Sequence, residues 1–291
     1  MPRKKFLVFG ASGMLGRRVM QLLHARFDIV TGLGSADCDI RDQEAVRAAV
    51  SKSEPEFIIN CAAYTTVDKA ETEPDEAEAV NHTGVANIAR AAKEAGCLLI
   101  HISTDYVFDG ASDRPYTEDM PTAPLGVYGL TKLRGEQAVA ASGCKHVIIR
   151  TQWLYDCQGR NFFLTMLRLM REKGTIGVVN DQTGSPTYAV DLANAIVRTA
   201  YSYDGQDGIY HFANAGECTW YDFALSIAQL ANARTKVNAI PTSQYPTPAR
   251  RPAHSTLSKE KIASTFEVLP PHWRDALNRC YAEWAEQQMA K

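Results

Sequence analysis

The apolar run Phe6–Phe9 breaks directly into Gly10-Ala11-Ser12-Gly13-Met14-Leu15-Gly16, with a glycine at every third position where a strand turns into a helix. Glycines so spaced let the backbone approach a pyrophosphate, and the N-terminus of the following helix favours its negative charge. A glycine-rich βα turn with no ligand has the same local sequence. The dinucleotide reading gains from the position of this turn at the head of an alternating chain.

That alternation runs through the first 150 residues. Short apolar runs at 5–9, 28–33, 57–61, 98–103 and 146–150 predict strands. Between them, segments 14–25, 43–51, 76–95 and 128–141 repeat apolar residues every three or four positions, as crossover helices do. Gly96 and Gly143 stand where helix C-caps are expected. The pattern predicts an α/β fold with a doubly wound, Rossmann-like parallel sheet and a ligand beyond the carboxyl ends of its strands. After Thr151 the rhythm loosens into helices at 162–172, 189–200, 221–233 and 272–288, which predicts a smaller mixed domain for the substrate. The expected division is 1–150 for the dinucleotide and 151–291 mainly for the substrate, with some later segments returning to the first part. The stretch 241–252 carries four prolines and two adjacent arginines and reads as an extended surface segment.

Charge excludes several partners. Lys and Arg number 31 against 33 Asp and Glu, which leaves no basic footprint for nucleic acid or an anionic membrane. No apolar run approaches the ~20 residues of a membrane helix, and no signal peptide is evident, so a cytoplasmic location is expected. The seven cysteines form no C-x-x-C pair and no spacing with histidine that suggests zinc, and they read as reduced thiols, mostly core fillers. His101 and His211 each lie alone in apolar runs and read as core histidines, so no metal site is expected.

Tyr128 and Lys132 lie four residues apart, on one face of a helix, where an ammonium stabilises a phenolate and depresses the phenol pKa. Alone, such a pair is more often a core tyrosine beside a solvent-seeking lysine. Ser103-Thr104-Asp105, at the end of the fourth strand, changes the odds by bringing a hydroxyl to the same crevice.

Glycine turn, strand-end Ser-Thr-Asp and Tyr-x-x-x-Lys, in that order, resemble the extended short-chain dehydrogenase/reductase superfamily. Longer strings narrow the resemblance. Ala62-Ala63-Tyr64-Thr65-Thr66-Val67-Asp68, Thr104-Asp105-Tyr106-Val107-Phe108-Asp109-Gly110 and Gly184-Ser185-Pro186-Thr187-Tyr188 are similar to the dTDP-4-dehydrorhamnose reductase family, over residues 5 to about 285. The resemblance implies a catalytic trio of Thr104, Tyr128 and Lys132. It implies that Gly10, Gly13, Met14, Leu15 and Gly16 hold the dinucleotide phosphates and that Asp39 and Ile40 meet the adenine. Ala62, Ala63 and Tyr64 would lie beside the nicotinamide ribose, and Val67, Asp105, Tyr106, Val107 and Trp153 would line the sugar pocket. Trp153 reads equally as core. Two departures bear on the nucleotide end: Asp156-Cys157 stands where the family usually has glycine, and His254 replaces a usual asparagine. Asp105 is followed by Tyr106 rather than the glutamate of related dehydratases, which favours simple reduction.

The implied activity is NADPH-dependent reduction of the C4 carbonyl of dTDP-4-dehydro-6-deoxy-L-mannose to dTDP-L-rhamnose, with the proton from Tyr128 and NADH as a second cofactor. The small-molecule nucleotide sugar is the expected partner, and a homodimer is compatible with it. Another nucleotide-sugar 4-ketoreductase or epimerase, or a non-catalytic NADP-binding regulatory subunit, remain as alternatives. The second strand ends in Thr31-Gly32-Leu33-Gly34, without a carboxylate for the 2′-hydroxyl of NAD, and Arg17 and Arg18 follow Gly16 closely enough to meet a 2′-phosphate. For the substrate diphosphate, Arg250 and Arg251 are the candidate cations, one of them facing inward.

Overall fold

The computed structural model describes residues 3–289; residues 1–2 and 290–291, at the ends of the 1–150 and 151–291 division, lie outside it. Five strands form in the first part: β1 Lys5–Phe9, β2 Ile29–Leu33, β3 Phe57–Asn60, β4 Leu98–Thr104 and β5 His146–Thr151. With Gly208–His211 they make one six-stranded sheet in the order Gly208–His211, β5, β4, β3, β1, β2, every pair parallel. Because the chain leaves β1 for β2 on one side and returns to β3 on the other, the switch point falls at the carboxyl end of β1.

Both faces of the sheet are covered, which is why its strands read as nearly continuous apolar runs. Phe6, Val8, Ile59, Ile100, Val147 and Ile149 pack against helix Met14–Ala25 and helix Ala189–Ser202. Leu7, Phe9, Ile58, Leu99 and Ile148 face Gln43–Ser53, Val85–Ala95 and Val127–Ser142. Gly96 and Gly143 close the last two helices at φ 68 and 71, in the left-handed region where glycine carries no Cβ penalty. The second half builds a separate core around Tyr155, Phe163, Phe223 and Trp273, and sends Ala189–Ser202 and Gly208–His211 to the large sheet.

One element departs from expectation. The helix read over 76–95 is three pieces, Pro74–Glu78, a π-turn at Ala79–Gly84, and Val85–Ala95. The wider turn brings the Asn81 side chain inward, where Oδ1 accepts from the Tyr64 N–H at 2.9 Å and Nδ2 donates to the Tyr64 carbonyl at 3.1 Å and Thr131 Oγ1 at 3.2 Å. Asn81 thereby ties the loop after β3 to the helix carrying Tyr128.

Candidate active site

Register brings the strand ends together: Phe9 pairs with Asn60, Asn60 with His101, and Thr104 with Thr151. The segments that follow, Gly10–Gly16, Cys61–Tyr64, Thr104–Tyr106 and Gln152–Trp153, therefore share one edge.

The glycine turn is shaped as a cradle. Gly10 has φ +73, and a Cβ on it would lie 2.5 Å from the Ala62 nitrogen; one on Gly16 would lie 2.1 Å from the Gly10 carbonyl oxygen. Those two glycines let the turn close. Gly13 instead N-caps helix Met14–Ala25 with no side-chain cap and no acid in the first turn, so the helix offers its free N–H groups to an anion. The adjoining cavity, about 340 Å³, is lined by Gly10, Gly13, Asp39, Ile40, Ala63 and Tyr64 among others. Free helix N–H groups beside a cleft lined by backbone fit a dinucleotide pyrophosphate. Leu15 is turned into the core and Gly16 is buried, so their part at this site is confined to the backbone; Met14 is half-buried.

The two arginines after Gly16 diverge. Arg17 is exposed, whereas Arg18 is buried and cannot meet a 2′-phosphate. Its guanidinium bonds Asp156 Oδ2 at 2.7 Å and Oδ1 at 2.5 Å, Cys157 Sγ at 3.1 Å and Glu283 at 2.8 Å. Asp156, Cys157 and Glu283 could by spacing hold a metal ion, but the arginine cation stands among them. The ion pair also accounts for the acid at position 156. His254 donates its backbone N–H to the Gly110 carbonyl at 3.2 Å, and its Nε2 lies 3.7 Å from Glu217. Beside Asp39 stands Arg41, which nothing in the sequence singles out; it grips Asp39 at 2.7 Å and Glu76 at 2.8 Å and holds the Asp39 carboxyl below its usual range.

At the strand-end edge the Tyr128 ring stands edge-on to Tyr106, two residues beyond Thr104. Thr104 Oγ1 donates to Asp105 Oδ1 at 3.0 Å and accepts from the Tyr106 N–H at 3.2 Å. Burial pushes the Tyr128 phenol up to about 12. The expected depression by Lys132 is not found, because the ammonium donates instead to the Ile102 carbonyl at 2.5 Å. Lys132 is itself lowered to about 8, by burial, against Glu136 and Cys61, which raise it. Asp105, also buried, is raised to about 7, and its Oδ2 has no partner.

Sequence spacing also gave no hint of the support beneath Lys132. Glu136, one helical turn on, receives Arg150 Nε at 2.9 Å and Nη2 at 2.7 Å, and the Ser103 hydroxyl as well. Both ion-pair partners are buried, at 3% and 2% side-chain exposure. His211 is satisfied by the Tyr116 carbonyl at 3.1 Å and Arg150 at 3.5 Å, and burial holds it at about 3. His101 meets Asn60 at 3.1 Å through Nδ1, but its Nε2 has no partner, which corrects the reading of a fully satisfied core residue.

A second cavity, about 420 Å³, opens beyond Tyr106 and is lined by Asp68, Phe162, Trp220, Tyr245 and Arg251 among others. Tyr106 meets the Tyr128 ring edge-on, with centroids 5.5 Å apart, and so joins this cavity to the strand-end edge. Of the two loop arginines, Arg250 is exposed and Arg251 faces inward, with Nη2 2.9 Å from Asp68 Oδ2. Val67 is half-buried at the start of the short helix Val67–Ala70. Val107 is packed into a small core with Phe108, Tyr116 and Leu257, so its side chain does not line the pocket. Trp153 is half-buried and stacked on Trp220.

Comparison with known proteins agrees with this geometry. The family model described as RmlD substrate binding domain matches residues 4–286. A dTDP-4-dehydrorhamnose reductase of Escherichia coli K12 is 42% identical over 289 residues, 95% of this chain and 97% of the relative. One from Streptomyces griseus is 43% identical over 286 residues, covering 96% and 94%. The crystal structure of the Bacillus anthracis dTDP-4-dehydrorhamnose reductase in complex with NADP is 36% identical, with a TM-score of 0.93 over 97% of this chain and 100% of that one. A Thermus thermophilus UDP-glucose 4-epimerase shares the fold, with a TM-score of 0.84 at 20% identity over 96% of this chain and 98% of that one. The family match spans nearly the whole chain and takes in both cavities and the edge between them: the chain belongs to the dTDP-4-dehydrorhamnose reductase family.

Proposed function

We propose that the protein reduces the C4 carbonyl of dTDP-4-dehydro-6-deoxy-L-mannose to dTDP-L-rhamnose, with Tyr128 as the proton donor. The observation that carries this reading is the meeting of Tyr128 with the Thr104–Tyr106 turn at the strand-end edge, next to the cavity that Tyr106 lines. NADPH bound along Gly10–Gly16 supplies the hydride. Residues 1–150 hold it, and 151–291 mainly grip the substrate.

The sugar carbonyl oxygen takes the place between Thr104 and Tyr128. Thr104 turns its one hydroxyl hydrogen from Asp105 Oδ1 to that oxygen, and Tyr128 delivers the proton as negative charge develops there. A phenol at about 12 stays protonated at every physiological pH, which suits a donor. Lys132 contributes its positive charge to the same face and orients the ribose beside Ala62–Tyr64. Asp105 Oδ2, buried without a partner, is an acceptor for a sugar hydroxyl. Seven free cysteines suit a reducing compartment, the cytoplasm. Turnover of NADPH with a panel of nucleotide 4-keto sugars tests the reading: the 4-keto-6-deoxy-L-mannose of dTDP should be preferred, and no turnover with any 4-keto sugar would leave the non-catalytic regulatory subunit.

A pH profile follows from Lys132. Its charge is complete below about 8 and is lost as the pH rises through that value, so kcat/KM should fall on the alkaline side. A profile flat through about pH 10 would mean that the ammonium is not required.

Arg251 supplies the cation for the substrate diphosphate, exchanging its Asp68 contact for phosphate oxygens. Arg251→Ala should raise the sugar-nucleotide KM about tenfold or more, in line with the 1.5–3 kcal/mol of a charge-assisted bond, and leave NADPH affinity within about twofold. Arg250→Ala should leave both unchanged. Equal KM values in the wild type and Arg251→Ala would remove this loop from substrate binding.

NADPH should be preferred over NADH, through Arg17. Steady-state kinetics of Arg17→Ala should show the ratio of kcat/KM values for the two cofactors drawn toward one, whereas an unchanged ratio assigns Arg17 to solvent.

A further inference from the structure

Trp153 and Trp220 stack face to face, with ring centroids 3.5 Å apart and planes 9° apart. Trp153 holds this position with a backbone φ of +46, a region that bulky residues rarely enter and keep only when their surroundings enforce it. Two features enforce it here. Gly184 leaves room for the indole: a Cβ there would lie 2.7 Å from Trp153 Cε2, 2.8 Å from Gln152 Oε1 and 2.9 Å from Ser255 Oγ. The stacking partner Trp220 is the first residue of helix Trp220–Leu230, anchored by a capping box between Thr219 and Asp222. The two are registered to each other, because Cys218 pairs with Gly184 and Thr219 with Thr183. The Trp153 carbonyl accepts from the Thr187 N–H at 3.1 Å, which fixes the backbone as well. Trp153 lies two residues beyond Thr151, the partner of Thr104 in the sheet, so whatever fixes its indole fixes an aromatic wall at a set place along the catalytic edge.

We propose that Trp220 is a positioning residue for the sugar-nucleotide site. Together with Gly184 it clamps the Trp153 indole in a strained backbone conformation, so that the substrate meets a wall already in place and loses no affinity in ordering it. The inference rests on the reading that Trp153 faces the sugar. Preorganisation of this kind acts on substrate binding and leaves the cofactor cradle, which is built from other elements, untouched.

Trp220→Ala should raise the KM for the sugar nucleotide about tenfold, change kcat by less than about threefold and leave NADPH affinity within about twofold. Trp220→Phe, which still offers a ring to stack on, should recover most of that loss. Gly184→Ala, which would set a Cβ 2.7 Å from Trp153 Cε2, should raise KM in the same way. Circular dichroism gives a second readout. The coupled signal of a stacked indole pair should vanish in Trp153→Phe and Trp220→Phe alike and persist in Trp284→Phe. Because Trp220 also lines the cavity of about 420 Å³, the Gly184 arm decides: if Trp153→Ala raises KM while Gly184→Ala leaves it within about twofold, the clamp is overturned and the wall stands, whether or not Trp220→Ala raises KM by its own contact. If Trp153→Ala also leaves KM unchanged, Trp153 does not face the sugar and both fall. A parallel loss of kcat, NADPH affinity and melting temperature in Trp220→Ala, with no rescue by phenylalanine, would reduce Trp220 to a core residue and overturn the proposal.

Discussion

Replacing Tyr128 by phenylalanine is expected to lower kcat by ~10²- to 10⁴-fold, the range for a positioned general acid, with NADPH affinity within about twofold. The substitution removes one oxygen. The ring keeps its edge-on contact with Tyr106 at 5.5 Å, while the phenolic hydroxyl and its transferable proton are lost. Single-turnover kinetics separate the chemical step from binding and product release. A rate within about tenfold of wild type, with the fold intact by circular dichroism, would assign the proton to another donor.

The second large effect lies beneath the site. Glu136→Ala leaves the Arg150 guanidinium buried without its carboxylate, and removing one partner of a buried pair costs about 3–5 kcal/mol. Both partners are almost fully enclosed, so solvent does little to screen the loss. Ser103 loses its acceptor in the same step. Chemical denaturation of Glu136→Ala should show an unfolding free energy lower by that amount. The double variant Glu136→Leu/Arg150→Met should regain most of it, since an apolar pair of similar volume leaves no orphaned charge. Glu136 also raises the Lys132 pKa, so in the double variant the alkaline limb of the pH profile should move to lower pH. A shift below about 1 kcal/mol in Glu136→Ala would mean that water reaches Arg150.

What the sequence disclosed about this molecule was local. The glycine turn, the alternation of apolar runs, and the helix ends at Gly96 and Gly143 each rest on neighbours within a few residues, and each is found where the residues indicate. Arg18 was misjudged because its partners, Asp156 and Glu283, lie 138 and 265 residues away. A helix also turns by about 100° per residue, so two adjacent arginines cannot share a face; Arg17 points to solvent while Arg18 enters the core side beside Leu15 and Val19. The phenol pKa was judged from Lys132 alone, but the ammonium turns to the Ile102 carbonyl and burial raises the phenol. Val107 sits in a string that resembles a pocket motif, yet in the single turn Asp105–Val107 its side chain enters the small core with Phe108, while Tyr106 meets the cavity. The left-handed backbone at Trp153 leaves no mark at position 153, because Gly184 and Trp220 hold it there from far along the chain.

The central claim is that hydride passes from the nicotinamide to the sugar C4 while Tyr128 protonates the oxygen. Turnover of dTDP-4-dehydro-6-deoxy-L-mannose with NADPH carrying deuterium at both nicotinamide C4 positions, followed by NMR of the product sugar, tests it most directly. The account predicts one deuterium at sugar C4 and none at C3 or C5, in a product identified as dTDP-L-rhamnose. Deuterium elsewhere on the ring, or cofactor oxidation without a label at C4, would contradict it.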